Sequence, residues 1–152
     1  MRRLSGFLLA GALLVLPVFS HAAFAQAAAP QKFLIDGEVA ILSVSVNAAK
    51  TADYEKVLEK LKEVLTKSEA PEAKQQAAGW KVVKSAKPMP DGNVIYMHLI
   101  TPVPGADYSV LQSIYAVVKD PAEQKALYDL YVGAGAKNLS LGTGSVVVDF
   151  SK

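Results

Sequence analysis

The sequence contains no cysteine and very little arginine or histidine. Without cysteine, neither a disulfide nor a lipid-attachment thiol can form, so a folded domain must rely on its hydrophobic core. Both arginines, Arg2 and Arg3, stand at the start of the chain with His21 close behind, which leaves His98 as the single histidine of the remainder. The remainder therefore has no guanidinium to bind carboxylate or phosphate through two hydrogen bonds. It also lacks the ligands of a structural zinc site, and we predict no metal.

The first 25 residues have the three-part pattern of a secretory signal peptide. The two arginines form the basic start, residues 4–18 form the apolar centre, and an Ala-x-Ala cleavage motif stands at 23–25. The apolar run is shorter than the roughly 20 residues that span a bilayer. We therefore predict cleavage after Ala25, with Ala22 and Ala27 as alternatives, no permanent membrane anchor, and a secreted or periplasmic location.

Removal of the leader brings the formal charge to zero. The whole chain has 16 Lys and Arg against 14 Asp and Glu, and loss of the two arginines leaves 14 lysines. No basic block stands out, so nucleic-acid binding lacks its main electrostatic support. We expect no nucleic-acid partner.

The remaining chain predicts one α+β domain over 38–152, preceded by an Ala- and Gln-rich lead-in at 26–37 that we expect to be flexible. Apolar alternation predicts strands at 38–46, 80–87, 93–101 and 145–150, with a loop over 139–145. Helical spacing and capping residues predict helices at 52–67, 71–78 and 107–119, and another capped by Asp120. The first helix is predicted to pack through one apolar stripe, formed by Tyr54, Val57, Leu58, Leu61, Val64 and Leu65. This order is the ferredoxin-like β-α-β-β-α-β plan, with the helices on one face of an antiparallel four-stranded sheet.

The strand at 93–101 is predicted to run through the middle of this sheet. Ile95, Met97 and Leu99 share a wholly apolar face, where we expect the helices. The opposite face would then be uncovered; it carries Val94, Tyr96, His98 and Ile100 of this strand beside Val39, Ile41, Ser43 and Ser45 of the first. An uncovered and largely apolar face indicates a partner or a ligand.

The order of the elements, the hairpin from Gly79 to Thr101 and the uncovered face together resemble the dimeric α/β-barrel superfamily. Its members include cofactor-free antibiotic-biosynthesis monooxygenases and haem-degrading enzymes. The leader and the ending from Asn138-Leu139-Ser140-Leu141 to Phe150 are similar to small secreted bacterial proteins of unknown function. The resemblance covers about residues 38–150 and implies a homodimer, with a cavity between the two sheets. It supplies no catalytic motif, and fold alone does not assign function.

Four residues are candidates for binding a ligand: Tyr96, His98, Ser43 and Trp80. His98 could accept a proton or bind haem iron, Tyr96 could assist it, and Trp80 could stack on a ligand. The commoner roles are a hydrogen-bonded strand histidine and aromatic rings that fill a core. Haem propionates would find only lysines as partners, so we predict no cofactor.

Two classes of function remain open. The first is a non-catalytic secreted or periplasmic domain that dimerises, or binds a small apolar ligand, through the uncovered face. The second is a cofactor-free monooxygenase or a haem-handling enzyme that uses Tyr96 and His98. We favour the first, because no sequence motif assigns a catalytic residue.

Overall fold

A computed structural model describes residues 31–150 of the chain. The predicted signal peptide and the first part of the predicted lead-in lie outside the described residues. Residues 31–37, the rest of that lead-in, contact the domain: Phe33 donates its amide to Asp107, and Ile35 is buried.

The described chain is an α+β fold of four helices and a four-stranded antiparallel sheet. In chain order the elements are β1 (Val39–Asn47), α1 (Thr51–Lys67), α2 (Pro71–Gly79), β2 (Trp80–Lys84), β3 (Asn93–Ile100), α3 (Val110–Val117), α4 (Pro121–Gly133) and β4 (Lys137–Gly144). A single 3-10 turn joins β1 to α1. The capping prediction at Asp120 is confirmed, because its carboxylate accepts from the amide of Ala122.

The strands lie in the order β2-β3-β1-β4, with every neighbouring pair antiparallel. The prediction that residues 93–101 form an inner strand is confirmed, since β3 pairs with β1 on one side and β2 on the other. In the β1–β3 register, Leu42 lies opposite His98 and Val44 opposite Tyr96. Paired residues point to the same face, so these four side chains share a surface.

The prediction of a last strand at 145–150 is wrong. The fourth strand is β4, over residues predicted largely as loop, and the valines that follow it are exposed. The register gives the reason, because Gly144 lies opposite Val39, the first residue of β1. Beyond Gly144 the chain has run past the start of β1 and has no neighbouring strand to pair with, whatever its β propensity.

The assignment of the two faces of β3 is also wrong. Val94, Tyr96, His98 and Ile100, predicted to be uncovered, are all buried, whereas Leu99 on the other face is exposed. Alternation separates two faces but does not say which one the helices cover. Tyr54 of α1 packs its ring edge-on to Tyr96 and bonds His98, so the face with polar side chains is the one that meets α1.

The core follows the predicted stripe of α1 except at Leu58, which is only half-buried. Its buried residues are Tyr54, Val57, Leu61, Val64 and Leu65. The last four pack with α3 and α4, and Tyr54 packs with the sheet. Helix α1 is therefore the element that joins the inter-helix core to the sheet core.

Candidate functional site

Three aromatic side chains form a hydrogen-bonded relay at the centre of the molecule. The indole Nε1 of Trp80 donates to Nδ1 of His98 at 3.0 Å. On the other side of the imidazole, Nε2 lies 3.0 Å from the hydroxyl of Tyr54. His98 and Tyr54 are fully buried, so both nitrogens of the ring are engaged away from solvent.

The tautomer of His98 follows from these contacts. An indole N–H can only donate, so Nδ1 must be the unprotonated acceptor. In the neutral ring Nε2 then carries the proton and donates it to the Tyr54 hydroxyl. Burial lowers the pKa of His98 from 6.5 to about 4, in agreement with a ring held neutral. Burial, followed by the neighbouring Tyr131 and Tyr96, raises the pKa of Tyr54.

The backbone brings these three residues together from separate elements. Trp80 opens β2 directly after Gly79, where an added Cβ would lie 2.8 Å from the carbonyl oxygen of Thr101. That close approach sets the start of β2 against the end of β3, where Trp80 pairs with Ile100. Tyr54 stands in the first turn of α1, immediately after the crossover from β1.

Tyr96, buried on the inner strand β3, belongs to a different group, which reaches the surface at Glu55 and Lys84. Its hydroxyl donates to Oε1 of Glu55 at 2.6 Å, and Lys84 donates to the same oxygen at 2.9 Å. The hydrogen bond from Tyr96, and then that from Lys84, lower the pKa of Glu55. The pKa of Tyr96 is raised, first by burial and then by the bond to Glu55. Tyr96 and Lys84 both donate to Glu55, so these bonds connect α1 to β3 and β2.

The four predicted ligand-binding residues therefore do not form one site. Trp80 and His98 bond each other, and Tyr96 lies on the same side of the sheet. Ser43 lies on the opposite face, paired with Met97 and Ser140. Tyr54 of α1, a stripe residue that is not one of the four candidates, is the second partner of His98. Its only signal was a hydroxyl within an otherwise aliphatic helical stripe.

A cavity of about 340 Å³ opens beside the Tyr54–His98 bond. The aromatic side chains that line it are Phe33, Tyr54, His98, Tyr108 and Tyr131, and none of the described lining residues carries a formal charge. A larger cleft of about 680 Å³ lies between α1, α2 and β2. Most of its lining side chains are apolar, and the polar ones are Glu59, Lys62, Thr66 and Lys74.

The surface that we call the open sheet face is the one opposite Tyr54. It consists of Val39, Ile41, Ser43 and Ser45 of β1, Lys81 and Val83 of β2, Ile95, Met97 and Leu99 of β3, and Lys137, Ser140, Gly142 and Gly144 of β4. Ile41 is 49% exposed and Val83 is 43% exposed. The two charged side chains of this face, Lys81 and Lys137, stand on the two edge strands, so its centre is uncharged.

Between residues 31 and 150 there is no group of three or more His, Cys, Asp or Glu side chains able to hold a metal ion. Within the same range, no helix is both long enough and apolar enough to cross a bilayer. For an axial haem bond, His98 would have to give up one of its two hydrogen bonds.

Comparison of the chain with protein-family models, with curated proteins and with solved structures gave no match.

Proposed function

We propose that this chain is an exported, non-catalytic α+β domain that forms a homodimer through its open sheet face. The observation that carries the proposal is the uncharged, apolar centre of that face, where Ile41, Val83 and Leu99 are exposed on three adjacent strands. A contiguous apolar surface of this kind is rare on soluble monomers unless it meets a partner.

A second copy is the partner that this surface fits best. Self-association needs only one self-complementary patch, and two-fold dimers are the commonest oligomers. The lysines of the open face lie at its edges, so the centre can lose its water without burying an unpaired charge. A nucleic acid or another charged partner would meet no charge there.

The open sheet face is smaller than a stable dimer interface, so further residues must join it. Four strands spaced about 4.8 Å apart, with about 3.4 Å per residue, give a sheet face of roughly 500 Å². A stable dimer buries about 800 Å² on each partner. Val147 and Phe150, which are 93% and 96% exposed just beyond β4, are apolar side chains that can supply the remainder.

We also propose that the fold has the ferredoxin-like topology. The strand order β2-β3-β1-β4 and the packing of Tyr54 on the sheet support a ferredoxin-like plan with its helices on one face. Two such sheets stacked face to face would give the dimeric α/β barrel that the sequence resembles. A small apolar ligand held between the sheets is the other occupant that this arrangement would allow.

The enzymatic alternative does not fit the bonding of its two candidate residues. It requires a free imidazole on His98 assisted by Tyr96, but His98 is bonded on both nitrogens and Tyr96 is bonded to Glu55.

Export rests on the predicted signal peptide, and mass spectrometry of the protein from its native host tests it. A mature N-terminus near Gln26 is expected, and an intact Met1 on the bulk of the protein would contradict export.

Dimerisation is tested by light scattering on two matched lysine variants. Ile41→Lys places a charge at the centre of the open sheet face, and Val117→Lys places one on α3 at a similar exposure, 52%. We expect a dimer for the wild type and for Val117→Lys, and a folded monomer for Ile41→Lys. A wild type that stays monomeric over a wide concentration range, or an Ile41→Lys variant that remains dimeric, would refute the proposal.

A further inference from the structure

The edge strand β2 has backbone groups that the sheet itself does not use. Just beyond its two ends, the amide of Thr101 donates to the carbonyl of Gly79, and the amide of Ser85 donates to that of Ile95. Backbone groups alternate in direction along an antiparallel strand, so the odd-numbered residues of β2 face β3. The amide and carbonyl of Val82 therefore point away from the sheet, and nothing in the described part of the chain bonds them. An edge of this kind is a template for another strand.

A groove runs along this edge, between β2 and α1. The cleft of about 680 Å³ is lined by Trp80 at the start of β2, and a smaller cleft of about 320 Å³ is lined by Lys84 at its end. Leu58 and Val82 line both clefts, so the two adjoin. With about 3.4 Å per residue, the five residues of β2 extend over roughly 17 Å. The groove therefore has room for a peptide strand of similar length.

The two ends of this groove differ in charge. Lys62 and Lys74 line the cleft at the Trp80 end but not the smaller one. Both lysines are exposed, and neither has a carboxylate partner among the described residues. Glu59 lines both clefts and so stands nearer to Lys84. The cationic end of the groove is therefore the one at the start of β2.

From this arrangement we infer that the groove binds the free carboxyl terminus of an extended peptide, which adds to β2 as an antiparallel fifth strand. An antiparallel strand paired with Val82 runs towards the start of β2, so its terminal carboxylate reaches Lys62 and Lys74. A parallel strand would bring its amino terminus there instead, next to two like charges. Alternate side chains of the peptide enter the apolar cleft, and the backbone bonds add affinity. The site uses the outer edge of β2 and the side of the sheet that meets α1, so it does not rest on the proposed dimer.

A pair of methylated peptides tests the strand pairing. The parent probe is acetyl-Val-Thr-Val-Thr-Val with a free carboxylate; its last residue lies opposite Trp80 and its third opposite Val82. N-methylation of the third residue removes a donor that faces β2, whereas N-methylation of the fourth removes one that faces solvent. By titration calorimetry on the full mature chain, we expect the first change to weaken binding about tenfold and the second less than about twofold. Equal effects, or no saturable binding of the parent peptide at millimolar concentration, would overturn the inference.

A double-mutant cycle tests the role of the two lysines. The wild type should bind the free acid at least about fivefold more tightly than the peptide with a carboxyl-terminal amide. The double variant Lys62→Gln, Lys74→Gln should bind acid and amide equally. Lys56→Gln, which changes an exposed lysine of α1 that lines neither cleft, should keep the preference. A double variant that still prefers the acid would contradict the assignment.

Hydrogen exchange of the wild type locates the peptide without any substitution. The amide of Val82 should become protected when the parent peptide binds, whereas that of Val83, which faces β3, should be protected with and without it. Decanoate, which has a carboxylate and an apolar chain but no peptide groups, is the control ligand. Tighter binding of decanoate than of the peptide, or a Val82 amide that stays unprotected, would show that the groove takes an amphiphilic anion and would overturn the inference. Dissociation of a dimer by the peptide would place a second copy of the chain in the groove and would overturn it as well.

Discussion

At the scale of single residues, His98 shows how a polar side chain is accommodated in a core. The imidazole is fully buried, yet each of its nitrogens has a partner, Trp80 on one side and Tyr54 on the other. Buried polar groups are tolerated when they are hydrogen-bonded in this way. The same two bonds favour the neutral ring, because protonation of Nδ1 would break the contact with Trp80.

This arrangement predicts a loss of stability in mild acid. The pKa of His98 falls from 6.5 to about 4 on folding, so between these values the unfolded chain binds more protons. The stability that the folded protein gains from a neutral His98 is complete above about pH 6.5 and is lost as the pH falls through about 4. At 1.36 kcal/mol per pH unit, the loss amounts to about 3 kcal/mol. Urea unfolding at a series of pH values measures it.

His98→Gln is the control for this pH dependence. The glutamine amide can accept from Trp80 and donate to Tyr54, but it does not titrate in this range. Its free energy of unfolding should fall less between pH 6.5 and 4 than that of the wild type, since only the carboxylates then contribute. An identical slope in the two proteins would show that His98 is not the titrating group.

At the scale of the elements, the helices were easier to predict than the strands. The apolar stripe of α1 and the cap at Asp120 are local patterns, and both are confirmed. The bounds of β4 depend on where β1 begins, and no pattern within residues 137–150 contains that information. The burial of one face of β3 likewise depends on Tyr54, more than forty residues earlier in the chain.

The packing of α1 predicts the effect of truncating its stripe. Leu61 is buried among residues of α3 and α4. Leu61→Ala should lower the free energy of unfolding by about 2 to 5 kcal/mol, because it removes buried methyl groups and leaves a cavity. Glu59→Ala, on the exposed side of the same helix, should change it by less than about 0.5 kcal/mol. Denaturant melts measure both, and a small loss for Leu61→Ala would contradict the packing.

The junction between α2 and β2 predicts a contrast between two glycines. A Cβ on Gly79 would lie 2.8 Å from the backbone oxygen of Thr101, whereas a Cβ on Gly133 meets nothing within 4 Å. Gly79→Ala should destabilise by about 1 to 3 kcal/mol through overpacking. Gly133→Ala, at the end of α4, should be neutral or stabilising by up to about 1 kcal/mol. Thermal unfolding compares them, and equal effects would show that the close approach is not a constraint.

At the scale of the whole molecule, the exposed residues after β4 and the open sheet face are proposed to form one dimer interface. Val147, Val148 and Phe150 follow an edge strand and are largely exposed. The open sheet face by itself is smaller than a typical dimer interface, so the proposed dimer gains area if these residues join it.

Deletion of residues 146–152 tests that contribution. The truncated protein should dissociate at higher concentrations than the wild type, because its interface loses apolar area. Its urea midpoint, measured at a concentration where both proteins are monomeric, should be unchanged. Sedimentation velocity over a dilution series gives the dissociation constants. Equal constants would place residues 146–152 outside the interface.

The sequence by itself determined the features that depend on neighbours along the chain. These are the α+β class, the stripe of α1, the inner position of β3, the exclusion of disulfides and, beyond residue 25, the exclusion of paired guanidinium contacts. Each follows from composition or from a period of two or 3.6 residues, because local side chains decide them.

Only the tertiary structure decided which side of β3 is buried, where β4 ends and what His98 bonds. All three depend on contacts between distant segments. Alternation is symmetric with respect to the two faces of a strand, and a one-residue shift in pairing exchanges them. The partners of His98, Trp80 on β2 and Tyr54 on α1, meet only when the sheet and α1 have packed together.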